Sequence, residues 1–328
     1  MAEQITFHFE GAFSDEHKMN FYEAARFQYA SARLLVKLSQ FRRNGKFAKK
    51  ITNNSNADIL ITIPHEGSFD ISVLAPLIAH AQDTFMSTTL SYLMSYVFDR
   101  IVGKKSDSDV VGALNATSDI VSQIGSITEN NSETINKALN IIQKDQKIKE
   151  KLHAESRDIL SARIAELERE KEIVRREGQA TRIDAEREKN LIEMSAPLVS
   201  EMATALRRSA NTLQIITETP GTVPKNILFL NRDMASELEL SVVDKTITSI
   251  LGDIIQYNKE SGWGKIRTSL SEVPLSFSVP SDTKGRLQSQ LLSAMGNDLV
   301  YIQSYVVRGR AGEPIRLIIV GILPPPPR

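Results

Sequence analysis

The residues best suited to chemistry in this chain are cations interleaved with aromatic rings. In residues 41–50, Phe41 and Phe47 stand among the basic residues Arg42, Arg43, Lys46, Lys49 and Lys50. Such cations can neutralise phosphates while the rings stack on unpaired bases. The same pattern is typical of a helix end followed by a solvated loop, where cations interact favourably with the helix dipole. The segment is therefore either a candidate nucleic-acid-binding site or a helix terminus.

A second aromatic and basic group lies in residues 252–266, where Tyr257, Trp263 and Lys265 flank a predicted β-hairpin turn. Stacking on such rings contributes about 1–3 kcal/mol per base, so these three residues form a second candidate nucleic-acid site. A tryptophan beside a tight turn is also typical of a partly buried ring in a small barrel. Both interpretations stay open.

Catalytic and metal-binding motifs are absent from the sequence. No Gly-x-Gly-x-x-Gly, Gly-x-Ser-x-Gly or His-Glu-x-x-His pattern occurs. The 5 His residues have no ligand spacing, and the absence of Cys excludes disulfides, thiolate catalysis and Cys-ligated metals. Residues 103–106 resemble the end of a phosphate-binding loop, but Phe98 occupies the place of its first glycine. We therefore predict no catalytic residue, no metal ligand and no cofactor, and a protein that is not an enzyme.

Composition sets the broad class of the protein. A chain of 328 residues with 41% hydrophobic and 24% charged residues is typical of a soluble protein with two or three domains. The 40 basic and 40 acidic residues give a formal net charge of zero, so no overall field attracts nucleic acid or an anionic membrane. The first residues do not resemble a signal peptide, and a cytoplasmic location is expected.

The amino-terminal region reads as an α+β module. Ile5, Phe7 and Phe9 alternate with polar residues, which predicts a half-buried strand. A helix with apolar residues at helical spacing follows, and residues 58–63 and 69–74 then read as two strands of a hairpin. The module is predicted to span residues 1–105.

The most apolar stretch is residues 85–98. Ser and Thr recur in it, and charge follows at Asp99 and Arg100. A membrane-spanning helix needs about 20 apolar residues. We therefore predict a helix buried in the protein or at an interface, and membrane association is the disfavoured alternative.

Residues 132–194 consist almost entirely of helix-forming residues and, at about 1.5 Å per residue, would span about 90 Å. The charge density predicts an exposed rod within a helical region of residues 106–220. Leu and Ile recur at heptad-like spacing in separate patches, which predicts a coiled coil with an interrupted seam. Because association would bury these patches, the pattern also predicts a homo-oligomer.

Residues 175–188 within this rod resemble the charged helices of flotillin and prohibitin proteins. The resemblance is one of composition and covers under a tenth of the chain. No membrane-inserting hairpin precedes the segment in the sequence. The resemblance therefore implies a charged helix and no function.

After the linker-like residues 219–224, the pattern changes to short β-rich runs with Gly, Asn and Pro between them. These runs begin with residues 226–230 and predict a small β-barrel-like domain over residues 221–328. One predicted helix, residues 284–295, interrupts the strands. The predicted fold class is therefore α+β and multidomain, with an α+β module, a long charged helical middle and a carboxy-terminal barrel.

Residues 252–266 of the predicted barrel resemble the opening hairpin of cold-shock domains. In that family, Gly-x-Val-x-x-Phe-Asn leads through a turn to Gly-Phe-Gly-Phe-Ile, and the aromatics stack on single-stranded bases. Tyr257 and Trp263 fall at aromatic positions of the motif, whereas Lys265 replaces its second strand aromatic and the following Val-Phe-Val-His segment is missing. The resemblance implies a small OB-like barrel.

The whole layout loosely resembles that of uncharacterised bacterial proteins, some of them encoded near antiphage-defence genes. The likeness is carried by residues 9–11, residues 66–69 and the barrel hairpin at Gly252. We expect a non-catalytic, oligomeric interaction protein, a scaffold, sensor or regulator with a protein partner, and the likeness implies a role in antiphage defence. The alternative is a single-stranded nucleic-acid-binding protein that uses the barrel and residues 41–50.

Overall fold

The computed structural model describes residues 2–46, 50–52, 59–62, 69–77, 84–116, 132–144, 153–297, 299–309 and 312–323. Numbered in chain order, the strands are β1 (Ala2–Glu10), β2 (Leu60–Ile61), β3 (Phe69–Pro76), β4 (Thr212–Glu218), β5 (Lys225–Asn231), β6 (Val242–Val243), β7 (Thr248–Tyr257), β8 (Trp263–Thr268), β9 (Leu275–Ser278), β10 (Val300–Arg308) and β11 (Pro314–Leu323). The helices are α1 (Phe21–Asn44), α2 (Leu90–Ile101), α3 (Asp107–Asn115), α4 (Ser132–Lys144), α5 (Ala154–Arg175), α6 (Glu177–Ala180), α7 (Ala185–Ala203), α8 (Arg232–Leu240) and α9 (Ser281–Ala294). The predicted fold class is confirmed.

A five-stranded antiparallel sheet organises the amino-terminal region in the order β2–β3–β1–β4–β5. The predicted alternation of β1 is confirmed, because Ile5, Phe7 and Phe9 are buried. The rings of Phe7 and Phe9 pack edge-to-face on the ring of Phe27 in α1, at centroid distances of 5.2 and 4.9 Å. The polar residues between them therefore face the other side of the sheet.

The linker-like residues 219–224 form the turn between β4 and β5. Both strands belong to the amino-terminal sheet, where β4 pairs with β1 and β5 pairs with β4. This differs from the sequence prediction, which placed residues 226–230 in the barrel. The reason is that Gly and Pro mark a turn and carry no information on the strands it joins. The division into units 1–105, 106–220 and 221–328 stays a prediction.

Helix α2 lies inside the protein, and every one of its residues is buried. Thr89 caps its first turn, and the carboxylate of Glu3 accepts hydrogen bonds from the backbone N–H groups of Leu90 and Ser91. A carboxylate at this end is favourable because the helix dipole is positive there. The predicted buried helix is confirmed. None of the helices that the structure describes is both long and apolar enough to cross a bilayer.

A long charged helix is confirmed in the middle of the chain, but the predicted exposed rod is wrong. Helix α5 ends at Arg175, the four-residue α6 follows, and α7 begins only at Ala185. The α5 side chains Arg163, Glu166, Arg169 and Glu172 are buried. They are accommodated because they have partners: Arg163 donates to Glu166 at 2.6 Å, and Arg169 donates to the carbonyl of Ile227 at 3.1 Å.

The apolar patches expected to drive oligomerisation are covered within the chain. Ile135, Leu139 and Ile142 of α4 form one buried cluster with Leu160 and Ile164 of α5 and with residues of α3. Intramolecular packing therefore removes most of the apolar surface on which the coiled-coil and oligomer predictions depended, and Val174 is left 52% exposed. Neither prediction has support from these patches.

The predicted small barrel is confirmed. Strands follow the order β11–β9–β8–β7–β10, and pairing of β10 with β11 closes the cylinder. Its buried core includes Ile266, Phe277, Ile302 and Leu317, and Leu291 of α9 packs into the same cluster. Strand β6 adds to β10 at the outside.

A buried arginine joins the end of α2 to the barrel. Arg100 has no exposed surface, and its Nε donates to Glu188 of α7 at 2.5 Å. Its Nη2 donates to Asp282 at the start of α9 at 2.6 Å. The guanidinium carbon lies 3.4 Å from the ring centroid of Tyr96. One guanidinium therefore holds three elements together.

Two further buried charges extend this junction. Asp99 accepts hydrogen bonds from the backbone N–H of Ser281 at 2.7 Å and from its hydroxyl at 2.8 Å. Lys104 donates to the carbonyl oxygens of Ser261 and Val279 in the barrel at 3.1 and 3.0 Å. The barrel therefore packs against the rest of the protein through ion pairs and hydrogen bonds that are buried from solvent.

Candidate functional site

A cleft lies between the polar face of the amino-terminal sheet and helices α4 and α5. Strand pairing places His8 of β1 opposite Asp70 of β3 on one side and opposite Gln214 of β4 on the other. The cavity measures about 800 Å³ and is lined mainly by polar side chains, which are His8, Glu10, Asp15, Gln143, Arg157, Asp158, Ser161, Asn211, Thr212 and Gln214. This volume lies within the range of small-molecule sites, roughly 300–1,000 Å³.

His8 is held between two carboxylates. Its Nδ1 lies 2.6 Å from Asp70 Oδ1, and its Nε2 lies 3.1 Å from Glu10 Oε1. The hydrogen bond to Glu10, with Asp70 adding to it, raises the pKa of His8 to about 9, and His8 in turn lowers the pKa of Glu10. His8 is therefore charged at neutral pH and donates from both nitrogens. It fixes the positions of both carboxylates and is not placed to act as a base.

This cluster makes protein stability depend on pH. Because the folded-state pKa of His8 is raised from 6.5 to about 9, its contribution is complete below about pH 6.5 and is lost as the pH rises through 9. We expect the difference in unfolding free energy between the wild type and His8→Gln to shrink over this interval in urea denaturation. The exposed His17→Gln is the control, and a difference that stays constant with pH would contradict the assignment.

The opposite wall of the cleft contains a second carboxylate of different character. Asp158 of α5 is partly buried, and its Oδ2 accepts a hydrogen bond from Asn231 of β5 at 3.1 Å. Burial raises the pKa of Asp158, and the negative charges of Glu10 and Asp233 add to the effect. The cleft therefore presents acceptors and donors on two facing walls, which suits a polar ligand that forms several directed hydrogen bonds.

The cleft continues into a smaller and more apolar cavity of about 230 Å³. The two cavities share Gln143, Arg157, Ser161, Gln214 and Ile216. The smaller one adds apolar side chains of the helical layer and the β4–β5 turn, namely Ile142, Leu160, Ile164 and Pro224. A bound molecule can therefore place a polar group at the His8 end and an apolar group at the other end.

Among the residues that the structure describes, no group of three or more His, Asp or Glu side chains is arranged to hold a metal ion.

The region that contains the cleft matches one known protein family. The model of a domain of unknown function, DUF7946, matches residues 5–239, which is more than two thirds of the chain. The chain belongs to the DUF7946 family. The match runs from β1 to α8 and therefore includes the sheet, the helical layer and the cleft, whereas the barrel follows it. No curated protein and no solved structure matches the chain.

Within the DUF7946 region, the basic segment 41–50 includes the end of α1. The helix ends at Asn44, and Gly45 follows in the left-handed conformation with φ of 68°, so the helix-terminus interpretation is confirmed. Arg42 is buried and donates to the carbonyls of Thr88 and Pro76 at 3.2 and 3.0 Å. Its role is therefore structural in this conformation.

The other described residues of this candidate site differ in their exposure to solvent. Phe41 is buried and packs on Phe85 with the ring centroids 5.5 Å apart. Arg43, Lys46 and Lys50 are exposed, and Phe47 and Lys49 lie outside the described residues. Nucleic-acid binding by the exposed cations stays a prediction.

The barrel hairpin holds the second predicted group. Tyr257 and Trp263 are each only 9% exposed, and the Tyr257 ring stacks on Phe277 with centroids 6.1 Å apart. Lys265 is exposed, and its Nζ lies 5.7 Å from the Trp263 ring centroid. The partly buried interpretation of Trp263 is confirmed, and stacking on bases would require the hairpin to open.

The cleft itself was not predicted from the sequence. A signal was present in β1, because residues opposite the apolar face of a strand must face something other than the core. His8 and Glu10 occupy that face. Arg157 and Asp158 carried no comparable signal, because charged residues are ordinary in a helix that the sequence predicts to be exposed.

Proposed function

We propose that the protein is a non-catalytic sensor or regulatory protein whose cleft binds a small polar molecule. The observation that supports this is the cavity of about 800 Å³ that is lined by His8 and Glu10, with His8 held in place by Asp70. Positioning these groups before a ligand arrives lowers the cost of ordering them on binding. The absence of a recognisable catalytic motif favours binding over turnover.

Helix α5 offers a route by which occupancy could reach the barrel. Its first half lines the cleft through Arg157 and Asp158. Its second half contacts the junction with the barrel, where Glu170 forms an ion pair with Lys284 and Glu166 accepts a hydrogen bond from the backbone N–H of Lys105 at 3.3 Å. Because a rigid helix moves as a unit, a displacement of the end at the cleft also displaces the end at the barrel. This arrangement favours a sensor over a passive scaffold.

Several parts of the proposal depend on the sequence alone. A cytoplasmic location, a protein partner and a role in antiphage defence follow from composition and from the likeness of the layout to uncharacterised bacterial proteins. Single-stranded nucleic-acid binding is the alternative function. The burial of Arg42 and Trp263 gives that alternative no support from the geometry.

A ligand screen tests the proposal. We expect one chemical class among monosaccharides, nucleosides and polyamines, each at millimolar concentration, to raise the melting temperature, because a ligand that binds the folded state stabilises it. Asp158→Asn should weaken binding of that class at least about tenfold in calorimetric titration, equivalent to about 1.4 kcal/mol. The partly exposed barrel residue Asp253 provides the matched control, Asp253→Asn, which should leave affinity unchanged.

Two results would overturn the proposal. One is equal affinity of the wild type and Asp158→Asn for every compound that binds. The other is salt-sensitive binding of single-stranded oligonucleotides that is lost in Trp263→Ala while the barrel stays folded, because this would favour the alternative function.

A further inference from the structure

Helix α1 exposes large aromatic side chains to solvent. Phe21, Tyr22 and Tyr29 are 89%, 66% and 60% exposed, and Phe13 just before the helix is 49% exposed. Single exposed apolar residues are ordinary, but neighbouring ones indicate an interaction surface. Tyrosine and arginine are, with tryptophan, the residues enriched at the energetic centres of protein interfaces.

Two arginines lie beside these rings on the same helix face, and one of them, Arg26, also forms an ion pair with Glu201 of α7 at 3.2 Å. Tyr22, Arg26, Tyr29 and Arg33 follow one another at spacings of four, three and four residues, which places them on one side of α1. The guanidinium of Arg26 lies 5.6 Å from the Tyr22 ring centroid, and that of Arg33 lies 5.2 Å from the Tyr29 ring centroid. A cation near the face of a tyrosine ring attracts it electrostatically.

The row of four residues is complementary to itself when it is reversed. In an antiparallel pair of α1 helices, Tyr22 of each copy lies opposite Arg33 of the other, and Arg26 lies opposite Tyr29. Every ring then faces a cation, and the contact is the same from both sides, as a two-fold dimer requires. A parallel pair would place arginine opposite arginine. The pattern therefore selects both the occupant of this surface and its orientation.

We propose that the protein forms a two-fold homodimer through antiparallel α1 helices, with the row Tyr22, Arg26, Tyr29 and Arg33 at the centre of the interface. Phe21 lies beside this row and enlarges the apolar area. The zero formal net charge of the chain imposes no overall repulsion between copies. This dimer is independent of any ligand in the cleft and does not use the covered patches of α4 and α5.

Sedimentation of the full chain between 1 and 100 µM tests the dimer. We expect a dimer in the wild type and at least about tenfold weaker association in Tyr22→Ala and in Tyr29→Ala, because each change removes a ring from the centre of the interface. Both rings are exposed, so the fold should be kept, as melting curves will show. Val223→Ala, at an apolar residue that is 80% exposed in the β4–β5 turn, is the matched control.

Cysteine cross-linking tests the orientation, and the absence of Cys from the chain makes single substitutions unambiguous. Ala25 and Ala32 are exposed on the same flank of α1. In the antiparallel pair, residue 25 of one copy lies closer to residue 32 of the other than to residue 25 of the other, so a mixture of Ala25→Cys and Ala32→Cys should form disulfide dimers faster than either variant alone. A monomer at 100 µM, a dimer insensitive to both tyrosine changes, or faster linking of each variant alone would overturn the proposal.

Discussion

Replacing Arg100 by Ala should lower the free energy of unfolding by about 3–5 kcal/mol. The reason is that the change leaves the carboxylates of Glu188 and Asp282 without the cation that binds them at 2.5 and 2.6 Å. Both carboxylates are largely buried, so water cannot replace the lost partner fully. The measurement is equilibrium denaturation in urea, followed by circular dichroism and by the fluorescence of the single Trp, residue 263.

The matched control is an exposed ion pair on the barrel. Arg267 lies 3.2 Å from Asp253, and its side chain is 66% exposed. Arg267→Ala should therefore cost less than about 1 kcal/mol. If Arg100→Ala destabilised the protein no more than this control does, the three-way contact of Arg100 would not be a main support of the junction.

The junction bears on the proposed sensor role as well as on stability. Asp99, Arg100 and Lys104 fix the barrel to the DUF7946 region through buried contacts. A barrel attached in this way can respond to the position of α2 and α5. A barrel on a free linker could not.

The sequence predicted the elements whose patterns are local. The period of two in β1 follows from one buried face, and the burial of α2 follows from an apolar stretch too short to span a membrane. The barrel was predictable because short strands alternate with turn residues. In each of these cases a few neighbouring residues carry the whole signal.

The parts that the sequence did not predict depend on distant residues. Arg163 and Glu166 of α5 look like a solvated pair, and only their contacts in the folded chain show that they are buried. The cleft depends on the same kind of information, because tertiary packing brings His8 of β1 and Asp158 of α5 to the walls of one cavity. Strand β5 was misplaced because a turn does not reveal which sheet its strands join.

Gly264 of β8 is the site of the second large expected effect. A Cβ at this position would lie 2.2 Å from Phe277 Cζ and 2.4 Å from the backbone carbonyl oxygen of Gln256. The ring is part of the buried barrel core, and the carbonyl belongs to the neighbouring strand β7, so neither can move without disturbing the barrel. Gly264→Ala should therefore lower the free energy of unfolding by about 3 kcal/mol.

A second glycine of the same region provides a control with the opposite sign. Gly285 lies inside α9, where a Cβ would meet no atom within 4 Å. Gly285→Ala should therefore raise stability by up to about 1 kcal/mol, because alanine favours the helical backbone. Urea denaturation of both variants measures the difference. A loss of stability in Gly264→Ala would show that close packing of Phe277 in the barrel requires glycine at this position of the hairpin. Equal stability of Gly264→Ala and the wild type would contradict the tight contact between β8 and the core.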